Sequence, residues 1–183
     1  MACDAAQRYA TALFFYKEQN VVPLAGATLG AYFYPSVRLL AKVALGRSPH
    51  CPLSNALQCA NHLRALTIHK DRIVSTRRLR EVDPAGYSLW DTPHGRFWIP
   101  EGNENVLSFN LAEQENNIYG VGDQAVRAGD VVLDCGANMG VYTRKALEAG
   151  ASAVVAIEPA HENIVCLRRN FVEEIATGKG RHL

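Results

Sequence analysis

With 183 residues, 48 per cent of them hydrophobic and 20 per cent charged, the chain has a globular composition, enough for one domain or one and a half, and not that of a disordered segment. Lys plus Arg number 19 and Asp plus Glu 18, so the net charge of +1 gives no ground for nucleic acid or an anionic membrane as a partner. Cys3, Cys51, Cys59, Cys135 and Cys166 make an odd count without framework spacing, and no basic segment precedes an apolar stretch at the N-terminus, so a reducing cytosol is the default compartment.

Residues 4–19 carry Ala5, Tyr9, Ala12, Leu13 and Tyr16 at helical spacing behind Asp4 as a cap, which predicts an amphipathic helix. The run 20–37 is uncharged, but Pro23, Gly26, Gly30 and Pro35 interrupt it and Arg38 and Lys42 follow, so no stable membrane span is expected. It reads as two short helices broken near Pro35, the second with Val37, Leu39, Leu40, Val43 and Leu45. Residues 54–68 predict a further helix through Ala56, Leu57, Ala60, Leu63 and Leu66. His50, Cys51, Cys59, His62 and His69 match no structural zinc spacing, where ligands come in close pairs, so no metal is expected.

Residues 70–81 are basic through Arg72, Arg77, Arg78 and Arg80; such a stretch can meet a phosphate or carboxylate, but Asp71, Glu81 and Asp83 dilute it into a solvated face. Residues 1–82 are therefore expected to form a mainly helical region. After the turn 83–86, two aromatic-rich runs about a turn at 91–95 predict a β-hairpin, in which Trp90, His94 and Trp98 either contact a substrate or cover the core. Residues 110–119 predict a helix leading into the linker 120–130, so hairpin and lead-in helix make a middle segment, 83–128.

The stretch 131–159, VVLDCGANMGVYTRKALEAGASAVVAIEP, is the most informative. Val131, Val132 and Leu133 form a short apolar strand that stops at Asp134 and turns through Cys135, Gly136, Ala137, Asn138, Met139 and Gly140. Val141, Ala146 and Leu147 then alternate with Arg144, Lys145 and Glu148 in a helix stopped by Ala149 and Gly150. A β-branched run, 153–157, ends at Glu158 and Pro159 and reads as a buried parallel strand.

Ligands of open α/β sheets sit beyond the carboxyl ends of the strands, where Asp134, the loop and Glu158 fall. Gly136 and Gly140 are expected to let the backbone approach a ligand, and Glu158 to accept hydrogen bonds from the two hydroxyls of a ribose. Asp134 chooses between nucleotide-like ligands. A dinucleotide would set its pyrophosphate over this loop, against a carboxylate, whereas S-adenosylmethionine would set a cationic methionine portion there. The spacing Asp-x-Gly-x-x-x-Gly also differs from the dinucleotide fingerprint, since Asn stands at position 138 and no glycine at 134 or 143. A nucleotide-dependent oxidoreductase is the disfavoured alternative.

The segment from Asp134 to Thr143, DCGANMGVYT, resembles the first motif of the FkbM-type methyltransferases, within the class I S-adenosylmethionine-dependent group. The stretch from Val155 to Pro159, then Glu162-Asn163 and the segment from Leu167 to Asn170, is similar to the next stretch of that family. The resemblance covers residues 129–174 well and the preceding hundred loosely. It implies that Asp134, Gly136, Asn138 and Gly140, with Ala137 in the same loop, line the methionine end of the cofactor, that Glu158 holds its ribose, and that Tyr142 and Thr143 begin the helix beneath it. It further implies an acidic helix over the cofactor, bringing Glu113 or Glu115 near, and O-methylation of a small-molecule, sugar or lipid hydroxyl; it names no catalytic base.

Ile164, Leu167, Phe171 and Ile175 predict one more helix, 161–176, before a polar tail. The expected fold is thus α/β: the start of a Rossmann-like class I methyltransferase parallel sheet, its first two βα units in residues 129–183, with the remaining strands absent. A sheet of two strands leaves its apolar flank at 153–157 open, so the enzyme reading is that of a fragment expected to self-associate, and a non-catalytic truncated remnant or interaction module is the alternative.

Overall fold

The computed structural model describes residues 37, 40–47 and 52–182, which fall into two compact units divided between Thr67 and Ile68. The helix expected over 4–19, the first of the two short helices after it, and Cys3, His50 and Cys51 lie outside the described residues; residues 40–44 are helical. Among the described residues no helix is long and apolar enough to cross a membrane, and no group of three or more His, Cys, Asp and Glu side chains could hold a metal ion.

Helix α1 (Leu53–Thr76) runs eight residues past its expected end at 68. The reason is Ile73, fully buried and seven residues beyond buried Leu66, which continues the apolar stripe through the basic stretch. The helical region then ends before residue 82, because Arg78–Asp83 is strand β1. It pairs antiparallel with β2 (Tyr87–Thr92), and β2 with β3 (Gly95–Pro100), so the expected hairpin is two strands of a three-stranded sheet. Thr92 faces Gly95 across a turn of only two residues, Pro93 and His94, shorter than the one expected at 91–95. Phe97 and Ile99 alternate inward from β3 and are fully buried.

Helix α2 (Glu104–Glu115) lies earlier than the helix expected at 110–119, because Leu107, Phe109, Leu111 and Ala112 anchor it to the core. It ends where Asn117 takes a positive φ of 49°, a conformation asparagine tolerates at helix ends, which leaves Tyr119 outside the helix.

A three-stranded parallel sheet follows. Strand β4 (Val131–Cys135) pairs with β5 (Ala153–Ile157) from Val131 opposite Ala153 to Cys135 opposite Ile157, with helix α3 (Val141–Glu148) between them in sequence. Strand β6 (Gly180–His182), in the segment read as a polar tail, pairs parallel with the other edge of β5, so the sheet has a third strand beyond the two expected. The helix expected over 161–176 is broken at Phe171 (φ −130°, ψ 34°) into α4 (His161–Asn170) and α5 (Val172–Ala176).

The core of this part joins loop, sheet and helices. Ala137, Ala156, Leu167 and Phe171 form one buried cluster, Ala146, Ala151 and Val154 another, and Leu147 packs on both. Among the described residues nothing covers the opposite face of the sheet: Val131 and Leu133 are 72 and 61 per cent exposed. The open flank is therefore mainly that of β4, with Ile157, and not the whole of 153–157, because Val154 and Ala156 point to the covered side.

Candidate functional site: the loop after β4

The carboxyl ends of β4 and β5 bring two acids together. Asp134 is 7 per cent exposed and points to the covered side of the sheet, where its Oδ2 accepts a 2.6 Å hydrogen bond from the Thr143 hydroxyl of α3. Burial pushes its carboxyl above the ordinary range and the charge of Glu158 adds to this, while the bonds from Thr143 act the other way. Glu158 is 8 per cent exposed, and its two oxygens accept from the backbone N–H groups of Asn138, at 2.7 Å, and Ala160, at 2.9 Å. One carboxylate thereby braces both the loop after β4 and the entry to α4, with lone pairs left on each oxygen.

Between the two acids the backbone is held by the end of β5. The N–H groups of Gly136 and Ala137 both donate to the Ile157 carbonyl, at 2.8 and 3.1 Å, and that of Gly140 closes back on the Ala137 carbonyl at 2.8 Å. Gly136, Asn138 and Gly140 all take positive φ, of 82°, 52° and 90°. The two glycines are there for different reasons. A Cβ on Gly136 would meet nothing within 4 Å, so open space faces its backbone. A Cβ on Gly140 would run into the Phe171 ring and, at 2.9 Å, into Leu167 Cδ2, so this glycine serves the packing of α4 and α5 beneath the loop and not a ligand's approach. Asn138 Oδ1 is buried and accepts no hydrogen bond.

Two tyrosines extend the site. Tyr142 on α3 and Tyr119 after α2 lie with ring centroids 5.1 Å apart at 53°. Tyr119, a residue the sequence reading did not single out, is more than half exposed as a whole, yet its hydroxyl is pushed up to about 12, first by burial and then by the charges of Glu113 and Asp134. The signal for it is Asn117, a helix-ending residue that turns the chain toward α3.

The two acids of α2 part company. Glu115 gathers Arg72 and His94 at Oε1, while its Oε2, 3.0 Å from His69 Nδ1, is buried without a hydrogen bond. Burial raises its carboxyl, but the bonds from His94 and Arg72 prevail and hold it below the usual range. Glu113 is buried, which pushes its carboxyl up to about 7, and its charge, like that of Asp134, acts on the Tyr119 hydroxyl. The aromatic candidates of the hairpin are engaged in structure: Trp90 Nε1 donates to Ser88 Oγ beneath the Arg77 guanidinium, Trp98 stacks with Arg169, and His94 is bound to Glu115. Cys135 is exposed at the strand end, whereas the thiol of Cys166 is buried and pushed up to about 12.

No protein-family model matches this chain, and no curated protein does. Among solved structures, the chain is similar to that of a putative RNA methyltransferase from Pyrococcus horikoshii, at 32 per cent identity and a TM-score of 0.33, over 42 per cent of this chain and 35 per cent of that one. The chain thus spans about a third of that structure's length, and a TM-score of this size does not establish a common fold.

Proposed function

We propose that the segment from β4 to α4 binds S-adenosylmethionine, and that the chain belongs to a methyltransferase of the FkbM type in the class I group, acting on a hydroxyl of a small molecule, sugar or lipid. One observation carries this reading. Two buried carboxyl groups, Asp134 and Glu158, stand at the carboxyl ends of adjacent parallel strands and bracket a loop whose Gly136 has open space before it. A pyrophosphate would be repelled there, and an ammonium or sulfonium is attracted.

The residues fit the cofactor. The orphaned Asn138 Oδ1 is an acceptor awaiting a donor, and Glu158 keeps lone pairs for ribose hydroxyls after bracing Asn138 and Ala160. Asp134, Gly136, Ala137 and Asn138 would hold the methionine end, with Gly140 packing the loop onto Phe171 and Leu167, and Tyr142 and Thr143 in the first turn of α3 beneath it. When bound, S-adenosylmethionine supplies an activated methyl group. The chain's own contribution is to orient it, with Thr143 fixing the Asp134 carboxylate and Glu158 fixing the loop.

Titration of the full chain with S-adenosylmethionine and, separately, with NAD tests this reading. S-adenosylmethionine is expected to bind and NAD not, and Glu158→Ala is expected to weaken binding by about 2 to 4 kcal/mol through lost charge-assisted hydrogen bonds. Unchanged affinity in that variant would sink the ribose assignment, and preference for NAD the whole reading. Self-association is expected to use the exposed face at Val131 and Leu133, and sedimentation velocity over a concentration series checks it.

A further inference from the structure

The two edges of the antiparallel sheet differ. At β3 the backbone of Trp98 is taken up by the Asn170 amide. At β1 no strand but β2 is hydrogen-bonded, and residues 78–82 are all exposed among the described residues. A strand with one bare edge is a template for another strand, and the sequence Arg78-Leu79-Arg80-Glu81-Val82-Asp83 decides which one fits.

Pairing with β2 sorts these residues onto two faces. Leu79 stands opposite Trp90 and Val82 opposite Ser88, and Trp90 and Ser88 stand opposite Phe97 and Ile99, the fully buried side chains of β3. Leu79 and Val82, three residues apart, would lie on opposite faces of a regular strand; the register shift at Arg80 inserts one residue and brings both to the core side. They are 49 and 51 per cent exposed, so the apolar face of the sheet runs on to an edge that nothing covers among the described residues. Arg78, Glu81 and Asp83 stand opposite Asp91, Leu89 and Tyr87, the alternate positions of β2, and Arg80 reaches Asp91, so the four charges share the other face. That face is unevenly paired. Asp91 is shared by the guanidinium groups of Arg80 and Arg96, and Arg78 donates to the carbonyls of Ser75 and Arg77. Asp83 is held by Arg169 at 2.7 Å, but the Glu81 carboxylate has no hydrogen bond or ion pair among the described residues.

The strand is complementary to itself. Laid antiparallel on a second copy about a dyad between Arg80 and Glu81, it sets Arg78 against Asp83, Leu79 against Val82 and Arg80 against Glu81, each pair occurring twice. Every charge meets its opposite and every apolar side chain an apolar one. The two bulges meet across the dyad, so neither strand gains a residue on the other. A slip of one residue in either direction sets Arg80 against Arg80 or Glu81 against Glu81, and apolar side chains against charged ones.

We propose that the free edge of β1 is the interface of a symmetric dimer, in which β1 pairs antiparallel with the β1 of a second copy and the two three-stranded sheets become one. Such an interface is isologous and closes at two copies. Glu81 gains the guanidinium it lacks, Arg80 gains a carboxylate beside the shared Asp91, and Leu79 and Val82 lose water on the core side. The interface is independent of the cofactor reading and uses a different surface from Val131 and Leu133.

The experiment is sedimentation velocity over a concentration series in a Val131→Thr, Leu133→Thr background, so that only the β1 edge is read. One short strand makes a small interface, so the dimer is expected to form at about 10 to 100 μM and to weaken with salt. Glu81→Arg or Arg80→Glu alone sets like charges against each other at both symmetry-related positions and should weaken the dimer about tenfold or more. Mixing these two variants puts opposite charges face to face again and should restore a dimer with one copy of each, which a folding defect in either would not do. Background protein that stays monomeric at those concentrations leaves the edge to a strand of different sequence and overturns the proposal. A dimer that survives both charge reversals overturns it as well, and so do variants that dissociate and are not rescued by mixing.

Discussion

Asn170, the last residue of α4, grips the backbone of Trp98 on β3 from both sides. Its Oδ1 accepts from the Trp98 N–H at 2.7 Å, and its Nδ2 donates to the Trp98 carbonyl at 3.0 Å. The same Nδ2 donates to the Met139 carbonyl at 2.9 Å, so one amide joins the antiparallel sheet to the loop between Asp134 and Gly140. The edge of β3 is thereby closed without another strand, which is one way a protein protects an open sheet edge.

Asn170→Leu is expected to lower stability by about 2 to 4 kcal/mol, because it strands one donor and two acceptors of the backbone together. Asn170→Asp should cost at least as much, since a carboxylate would face the carbonyls of Trp98 and Met139. Urea unfolding with the slope compared between variants checks this; a midpoint shift within error would show that solvent replaces the amide.

Gly136→Ala and Gly140→Ala should separate ligand approach from packing. Both glycines have positive φ, so each alanine costs about 1 kcal/mol in backbone strain. Only at Gly140 does the new Cβ also meet Phe171 and Leu167, adding about 1 to 3 kcal/mol of overpacking. Gly136→Ala is expected to lose only that strain in stability and bind S-adenosylmethionine poorly; Gly140→Ala should be the less stable protein, and Phe171→Leu in its background should return part of the loss.

That difference marks what the sequence makes legible. The unit from β4 to β5 and its loop can be read directly, because Val131, Val132 and Leu133 before Asp134, and the β-branched run before Glu158, are local patterns. The purpose of Gly140 is not local, since it depends on Phe171, thirty-one residues away, turning back under the loop. Strand β6 carries no strand pattern in Gly180, Arg181 and His182; it exists because the outer edge of β5 offers unpaired backbone groups. Strand β1 and the end of α1 are hidden by their charges, Arg80 being drawn into a pair with Asp91 and Arg72 into one with Glu115. The roles of Glu113 and Glu115, two residues apart, emerge only once the end of α2 is known.

Thr143→Val removes the hydroxyl that donates to Asp134 while keeping the shape of the side chain. A buried carboxylate losing a 2.6 Å bond should cost about 1.5 to 3 kcal/mol at neutral pH. The loss should shrink on acidification as Asp134 becomes protonated, because the bond serves its charged form and its carboxyl already titrates above the ordinary range. Denaturant midpoints of both proteins from about pH 4 to 7 check this, and a penalty independent of pH would assign Thr143 a packing role alone.

The Glu113 carboxyl makes a separate prediction about the unliganded protein. Its folded value, about 7, stands above the ordinary 4.5, so between those values the folded state holds a proton that the unfolded chain has released. Stability from this group is therefore fully present below the unfolded value and is lost as pH rises through the folded one, by up to about 3 kcal/mol. Glu113→Gln should remove that fall, making the variant more stable than wild type at about pH 8 and close to it at about pH 4. The measurement is the urea midpoint of both proteins across this range. Parallel curves would place the Glu113 carboxyl in water and withdraw the burial on which its charge behaviour depends.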